Sequence, residues 1–239
     1  MQFTNELIRG TLIKRYKRFL SDHRLENAEV VTAHCPNPGA MLGLTMPESE
    51  VWLSPATNPN RKLKYTWELI RISRGSQGLV GINTNHPNRI VAEALNKKTI
   101  SELKEYGSFR PEVPYGKNSR IDFLLEARDS SPCFVEVKNV HLLRKPACAE
   151  FPDSVTARGT KHLRELTEVV KAGGRAVMLY VVQREDCKYF RIADDIDPVY
   201  ARAFIEAKES GVEAICYDCK LSTQEIILSR SLPIKYPIS

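Results

Sequence analysis

Asp122, Glu136 and Lys138 lie on two short apolar runs, Arg120-Ile-Asp-Phe-Leu-Leu and Cys133-Phe-Val-Glu-Val-Lys-Asn-Val, joined by the turn-forming stretch Ala127-Arg-Asp-Ser-Ser-Pro132. Each run alternates as a half-buried strand does, with Ile121, Phe123 and Leu125 on one face and Cys133, Val135 and Val137 on one face of the next. The simplest pairing is an antiparallel hairpin centred near Ser130. It sets Asp122 across from Lys138 and diagonal to Glu136, with diagonal neighbours about 7–8 Å apart. All three ionisable groups then share a face. Mg²⁺ or Mn²⁺ takes hard oxygen ligands, usually one or two carboxylates completed by water and phosphate. The reading is therefore a divalent-metal centre with Asp122 and Glu136 as ligands. A cation such as Lys138 beside it stabilises developing charge or positions a water. A bare Glu-x-Lys is common on exposed sheet faces, so the weight falls on Asp122 and the hairpin.

Other elements must position these groups. Asn85-His-Pro-Asn88 offers a cap and an early proline before the helical segment Ile90–Leu95, whose carboxylate, Glu93, is either a further metal ligand or a solvated helical side chain. A second helix runs from Arg158 to Lys171, with Leu163, Leu166 and Val170 at helical spacing and Gly173-Gly174 as its stop. It presents Lys161, His162 and Arg164 as candidates for phosphate contact. His162 reads as an exposed helical residue, since no second His or Cys stands at ligand spacing. Arg175 to Gln183 is a nearly continuous apolar run, expected of a central strand covered on both faces, with Gln183 at the end where open α/β sheets bind ligands. A helix after Asp197-Pro198 and strands over 212–217 and 224–228 complete a mixed α/β domain over residues 83–239.

Residues 1–82 read as all-β. Runs at 7–20, 30–33, 50–53, 64–72 and 79–82 are separated by Pro, Gly and Asn clusters, which fits a small barrel of the OB type. The chain carries 35 Lys and Arg against 29 Asp and Glu, a net of +6. Most of that excess lies here, in two segments that interleave cations with aromatics. Lys14, Arg15, Lys17 and Arg18 flank Tyr16 and Phe19, while Arg61, Lys62 and Lys64 precede Tyr65 and Trp67. Cations that track a backbone, with aromatic platforms for bases, are how single-stranded nucleic acid is gripped, so DNA is the expected partner. A sugar polymer would not need the positive charge.

No membrane span and no secretory leader are read from the sequence. The six cysteines follow no framework spacing, and the single pair Cys216-x-x-Cys219 lacks the second pair of a zinc site, which points to free thiols in the cytoplasm. An exposed edge strand leaves a homodimer open.

The runs AHCPNPGAM, NPNRKLKYTWEL, VGINTNHPN, SRIDFLL, VEVKNV, FPDSVTARGTKHLREL and VVQR resemble the sugar fermentation stimulation protein A family along nearly the whole chain. The resemblance implies a bacterial or archaeal cytosolic protein with an OB-like barrel and a domain similar to PD-(D/E)xK nucleases. It also implies DNA binding without sequence preference and a regulatory connection to sugar (maltose) use. By motif, Asp122, Glu136 and Lys138 match the nuclease-like core, Glu93 matches the helical Glu of many relatives, and Gln183 falls where some carry a polar residue. Ile121 replaces the proline of the superfamily's name, and Pro38 and Ala40 depart from the family's loop. Two functional classes follow: a Mg²⁺-dependent deoxyribonuclease, or a DNA-binding regulatory factor whose pocket is idle.

Overall fold

The computed structural model describes residues 1–72, 78–116 and 118–236. Six strands form the first domain: β1 (Ile8–Tyr16), β2 (Leu20–Leu25), β3 (Val30–His34), β4 (Glu50–Pro55), β5 (Tyr65–Ile72) and β6 (Gly78–Gly81). β1 pairs antiparallel with β2 and β4, β2 with β3, and β4 with β5, while β3 meets β5 in parallel and closes a five-stranded barrel. β6 extends it along β5. Leu12, Val51, Leu53, Trp67 and Ile70 fill the interior.

The run over 7–20 is not one strand. The chain reverses over Lys17-Arg18-Phe19, with φ of 48° at Lys17 and 62° at Arg18. Such conformations favour Gly or Asn, so a Lys-Arg pair gives no turn signal and carries a local conformational cost. Trp67 is fully buried and bonds the Leu69 carbonyl through Nε1, so it is a core residue and no platform for a base. Phe19, 46% exposed and stacked on His34, is available as one.

The second domain begins with α1 (His86–Asn96). It continues through β7 (Ser108–Tyr115), β8 (Ser119–Glu126), β9 (Cys133–Val140), β10 (Leu142–Lys145), β11 (Cys148–Phe151), α2 (Ala157–Lys171), β12 (Arg175–Val182), β13 (Tyr189–Ile192), α3 (Pro198–Glu209), β14 (Glu213–Leu221), β15 (Ile226–Ser231) and β16 (Ile234–Lys235). The main sheet runs β7-β8-β9-β12-β14-β15, parallel across β9, β12 and β14 and antiparallel at both edges. As its unbroken apolar run requires, β12 is central and buried on both faces. α1 covers one face through Ile90, Val91 and Ala94, and α2 and α3 cover the other through Leu163, Leu166, Tyr200 and Phe204. Thr156 and Asp197 cap α2 and α3 with side-chain oxygens. β10, β11, β13 and β16 form a small second sheet.

The two domains are sewn together by buried polar contacts. Gln183, read either as a contact to substrate or a metal-bound water or as a strand end that only meets solvent, is wholly buried instead: Nε2 donates to the Asn83 carbonyl at 3.2 Å and to Asn139 Oδ1 at 2.6 Å. Its own carbonyl accepts from the Gly81 amide at 3.0 Å. On the other flank of the seam Asp153 Oδ2 takes the Met41 amide at 3.1 Å and lies 3.2 Å from His141 Nε2. Met1 and Phe3 pair with residues 224–226 beside β15, so the first residues of the chain join the second domain rather than the barrel.

A Cβ on Gly81 would stand 2.4 Å from Gln183 Oε1, whereas one on Gly78 meets nothing within 4 Å. Gly81→Ala should cost about 1–3 kcal/mol by urea denaturation, as overpacking does, with Gly78→Ala costing less. Equal effects would remove Gln183 as a rigid strut.

Candidate metal centre

β8 and β9 pair only where Phe123, Leu124 and Leu125 face Val135, Phe134 and Cys133. That register centres the hairpin near Asp129, one residue earlier than the turn composition implies, and its continuation sets Asp122 opposite Glu136 instead of Lys138. There the ladder stops and a side chain takes over. Asp122 Oδ2 accepts the Val137 amide at 2.7 Å, doing the work of a strand carbonyl. Its Oδ1 accepts Asn88 Nδ2 at 2.7 Å, which docks the first turn of α1 onto the acid.

Glu136 is 3% exposed. Its Oε1 accepts Lys138 Nζ at 2.6 Å and a short hydrogen bond from His162 Nδ1, while Nζ also lies 3.3 Å from Nδ1. Arg158 Nε donates to His162 Nε2 at 3.3 Å. That assigns the acceptor role to Nε2 and the proton to Nδ1, facing Glu136. His162 is thus buried on the sheet side of α2, contrary to its reading as an exposed helical residue. Burial acts to raise the Glu136 carboxyl, but the His162 hydrogen bond and the Lys138 charge outweigh it and hold the group below its ordinary value. For Asp122 the balance reverses: burial first, then the Glu136 charge, push it up against the Val137 and Asn88 hydrogen bonds.

The donor set fits a hard divalent cation. Glu136 Oε2 is buried with no partner, and Asp122, within the influence of the Glu136 charge, supplies a second carboxylate. Among the described residues no three His, Cys, Asp or Glu side chains converge to hold an ion. Two carboxylates with water and phosphate match the habit of Mg²⁺. Glu93 does not join them. Its carboxylate pairs with the Met1 ammonium and with Lys97 Nζ at 2.5 Å. Five residues beyond Asn88, it is rotated roughly 140° around α1 from the side chain that reaches Asp122.

Beside the carboxylates lies a cleft of about 550 Å³ whose walls include Arg120, Arg158, Lys161 and His162. Lys161 is among the phosphate-contact candidates read from the sequence, whereas Arg120 and Arg158, which belong to no basic run, are not. Arg164 is exposed on the same helix. The barrel cations are dispersed: Lys17 and Arg18 sit at the exposed β1–β2 turn, and Lys62 and Lys64 are exposed before β5. Lys14 lies 3.6 Å from Asp22. Arg61 lines a separate hollow with Arg89 and His86. Arg15 is committed to the fold, with its guanidinium on the carbonyls of Asn37 and Gly39 at 2.9 and 3.0 Å.

Asp122 supplies a test of this electrostatic balance. With its folded carboxyl above the ordinary 3.8, the stability it contributes is present in full below that value and lost as pH rises through the folded one. Asp122→Asn, which cannot ionise, should therefore gain on the parent protein as pH rises from about 4. Urea denaturation without added metal checks this; a gap constant with pH contradicts it.

The family model described as the SfsA N-terminal OB domain matches residues 13–82, and that described as the sugar fermentation stimulation protein RE domain matches residues 85–225. The sugar fermentation stimulation protein homolog of Paramagnetospirillum magneticum is 59% identical over 232 residues, covering 97% of each chain. That of Maricaulis maris is 53% identical over 235 residues, covering 98% of this chain and 99% of the other. The structure of Pyrococcus furiosus SfsA in complex with Ca²⁺ superposes with a TM-score of 0.87 at 24% identity, covering 98% of each chain, a likeness of fold. Barrel, α/β domain and sequence agree that this chain belongs to the sugar fermentation stimulation protein (SfsA) family.

Proposed function

We propose that this protein binds DNA without sequence preference and hydrolyses its phosphodiester bonds at Asp122 and Glu136 with Mg²⁺ or Mn²⁺. The observation that carries the reading is the buried, unpartnered Oε2 of Glu136, beside a second carboxylate and bonded through Oε1 to His162, which lines a cleft with Arg120, Arg158 and Lys161. Burying a carboxylate oxygen unpaired is costly, and a cation removes the cost. The Pyrococcus furiosus relative, solved with Ca²⁺, is in keeping with a hard cation bound by oxygen.

When bound, the ion supplies a water of lowered pKa and neutralises charge on a phosphoryl oxygen. The protein's own groups do the rest. His162 engages Glu136 Oε1 and leaves Oε2 for the cation. Lys138 Nζ, held between Glu136 and His162, stands where it can stabilise negative charge on the phosphate in the transition state. Arg120, Arg158 and Lys161 hold backbone phosphates in the cleft. Exposed Lys14, Lys17, Arg18, Lys62, Lys64 and Arg164, with the half-buried Arg61, extend the positive field over the barrel and α2. The six cysteines are free and buried, as suits a protein of the cytoplasm. A second reading, a DNA-binding factor acting in sugar use without cleavage, draws on the name its relatives carry.

Labelled single-stranded, double-stranded and branched DNA, incubated with Mg²⁺, Mn²⁺ or EDTA, separates the two. Cleavage should require metal and fall at least about 100-fold in both Asp122→Ala and Lys138→Ala. Binding without cleavage on every substrate would leave the regulator. Affinity should decline as salt rises, and Lys62→Ala with Lys64→Ala should flatten the log–log slope by about 0.7–0.9 for each phosphate that is no longer neutralised. An unchanged slope would remove the barrel from the interface.

A further inference from the structure

Four polar atoms around the centre are buried without a hydrogen-bond partner: Glu136 Oε2, both carboxylate oxygens of Glu165, and the Tyr115 hydroxyl. They come from β9, α2 and β7. Glu165 follows His162 by three residues and so shares its face of α2. The cation beside it is Lys161, whose Nζ lies 3.6 Å from Oε1, beyond hydrogen-bond reach. The chain makes room for this carboxylate. Residue 116 is a glycine at φ +57°, and a Cβ there would stand 3.0 Å from Glu165 Oε1 and 3.2 Å from Cδ. Tyr115 is 8% exposed, and after burial the groups acting on its hydroxyl are Glu136, Glu165 and Asp122, so it lies among all three acids.

Unsatisfied buried groups are rare in native proteins and call for a cause. A Gln at 165 and a Phe at 115 would fill similar space without a carboxylate that, although ion-paired with Lys161, makes no hydrogen bond, and without a hydroxyl that makes none, so the polar groups answer to something. Direct coordination by all three carboxylates is not what the site offers, because they do not converge on one point. A magnesium-like cation keeps several of its waters, and a buried water needs two to four polar partners. Glu165, Glu136 Oε2 and the Tyr115 hydroxyl are such partners.

Resting on the metal reading above, we propose that Glu165 and Tyr115 hold water of the hydration shell of a divalent cation seated at Asp122 and Glu136, so that α2 is tied to the ion through water. Both are positioning residues. Without the ion the Glu165 carboxylate has the Lys161 ion pair but no hydrogen bond; with it, the same carboxylate orders the hydration shell.

Mn²⁺ alone is the probe, with calorimetric titration for affinity, water-proton relaxation for ion-bound water, and thermal unfolding with and without the metal. The parent protein should bind Mn²⁺, and Asp122→Asn should not. Glu165→Gln should bind about 10-fold more weakly and gain less thermal stability from Mn²⁺ than the parent does. Tyr115→Phe should also bind more weakly, with altered relaxation by the bound ion. If the parent binds no Mn²⁺, the metal reading itself fails. If it binds and both Glu165→Gln and Tyr115→Phe bind equally well, only the present inference fails. Weaker binding in Glu165→Gln, with Tyr115→Phe and the relaxation unchanged, would reduce Glu165 to a distant charge and overturn it too. Should Glu165→Gln not fold, Tyr115→Phe decides.

Discussion

A buried carboxylate and a half-buried one, set side by side, are the constraint around which the α/β domain is arranged. Neither Asp122 nor Glu136 is at ease as an anion in a medium of low polarity, and each makes the other worse. The chain compensates them by different means. Glu136 is given charge, from Lys138 two residues along its own strand and from the His162 hydrogen bond across the sheet–helix interface. Asp122 is given neutral donors, the Val137 amide and the Asn88 side chain. The consequence is that α1, β8, β9 and α2 are all fixed by what the acids need, over and above the apolar packing that brings them near.

The barrel is coupled to the same strand. From Glu68, which accepts from Ser54, Asn83 and His86, the polar chain passes through the Asn83 residue to Gln183, then Asn139, His141 and Asp153, and ends at the Met41 amide. Asn139 adjoins Lys138. Most of its members are hydrogen-bonded, while Gln183 Oε1 and His86 Nδ1 are left without a partner. The segments carrying the family resemblance, from the loop after β3 to the ends of β6, β9 and β12, meet along this seam. What looks in the sequence like a scatter of unrelated fragments is one joint, with Gly39 and Gly81 kept bare where Asp153 and Gln183 cross it.

The acids were legible because alternation alone assigns side chains to faces. Asp122, Glu136 and Lys138 need only the period of a strand. Their partners across the sheet were harder: the hairpin centre was displaced by one residue, since a six-residue polar turn does not state where pairing begins. His162 was misplaced because one helical turn of Lys161, His162 and Arg164 looks solvated, and only the docking of α2 shows that one of the three points inward. Glu93 was offered as a ligand both by its place on the helix and by resemblance, and helical geometry turned it toward the N-terminus. β7 escaped notice through Pro111 and Pro114, which a sheet tolerates at its edge. The β1–β2 turn escaped because its residues are the wrong ones for a turn. In each case the deciding force was tertiary.

The hydrogen bond from the Val137 amide to Asp122 gives this acid an architectural employment beside the proposed chemical one. It completes the edge where two strands separate, so a chain that had lost every trace of chemistry would still have reason to keep an aspartate there, to stop the sheet from fraying. Retention of Asp122 in a distant cousin is therefore weak testimony to hydrolysis. The spare oxygen of Glu136 has no architectural duty, and it is by that atom that an active lineage is to be told from a retired one.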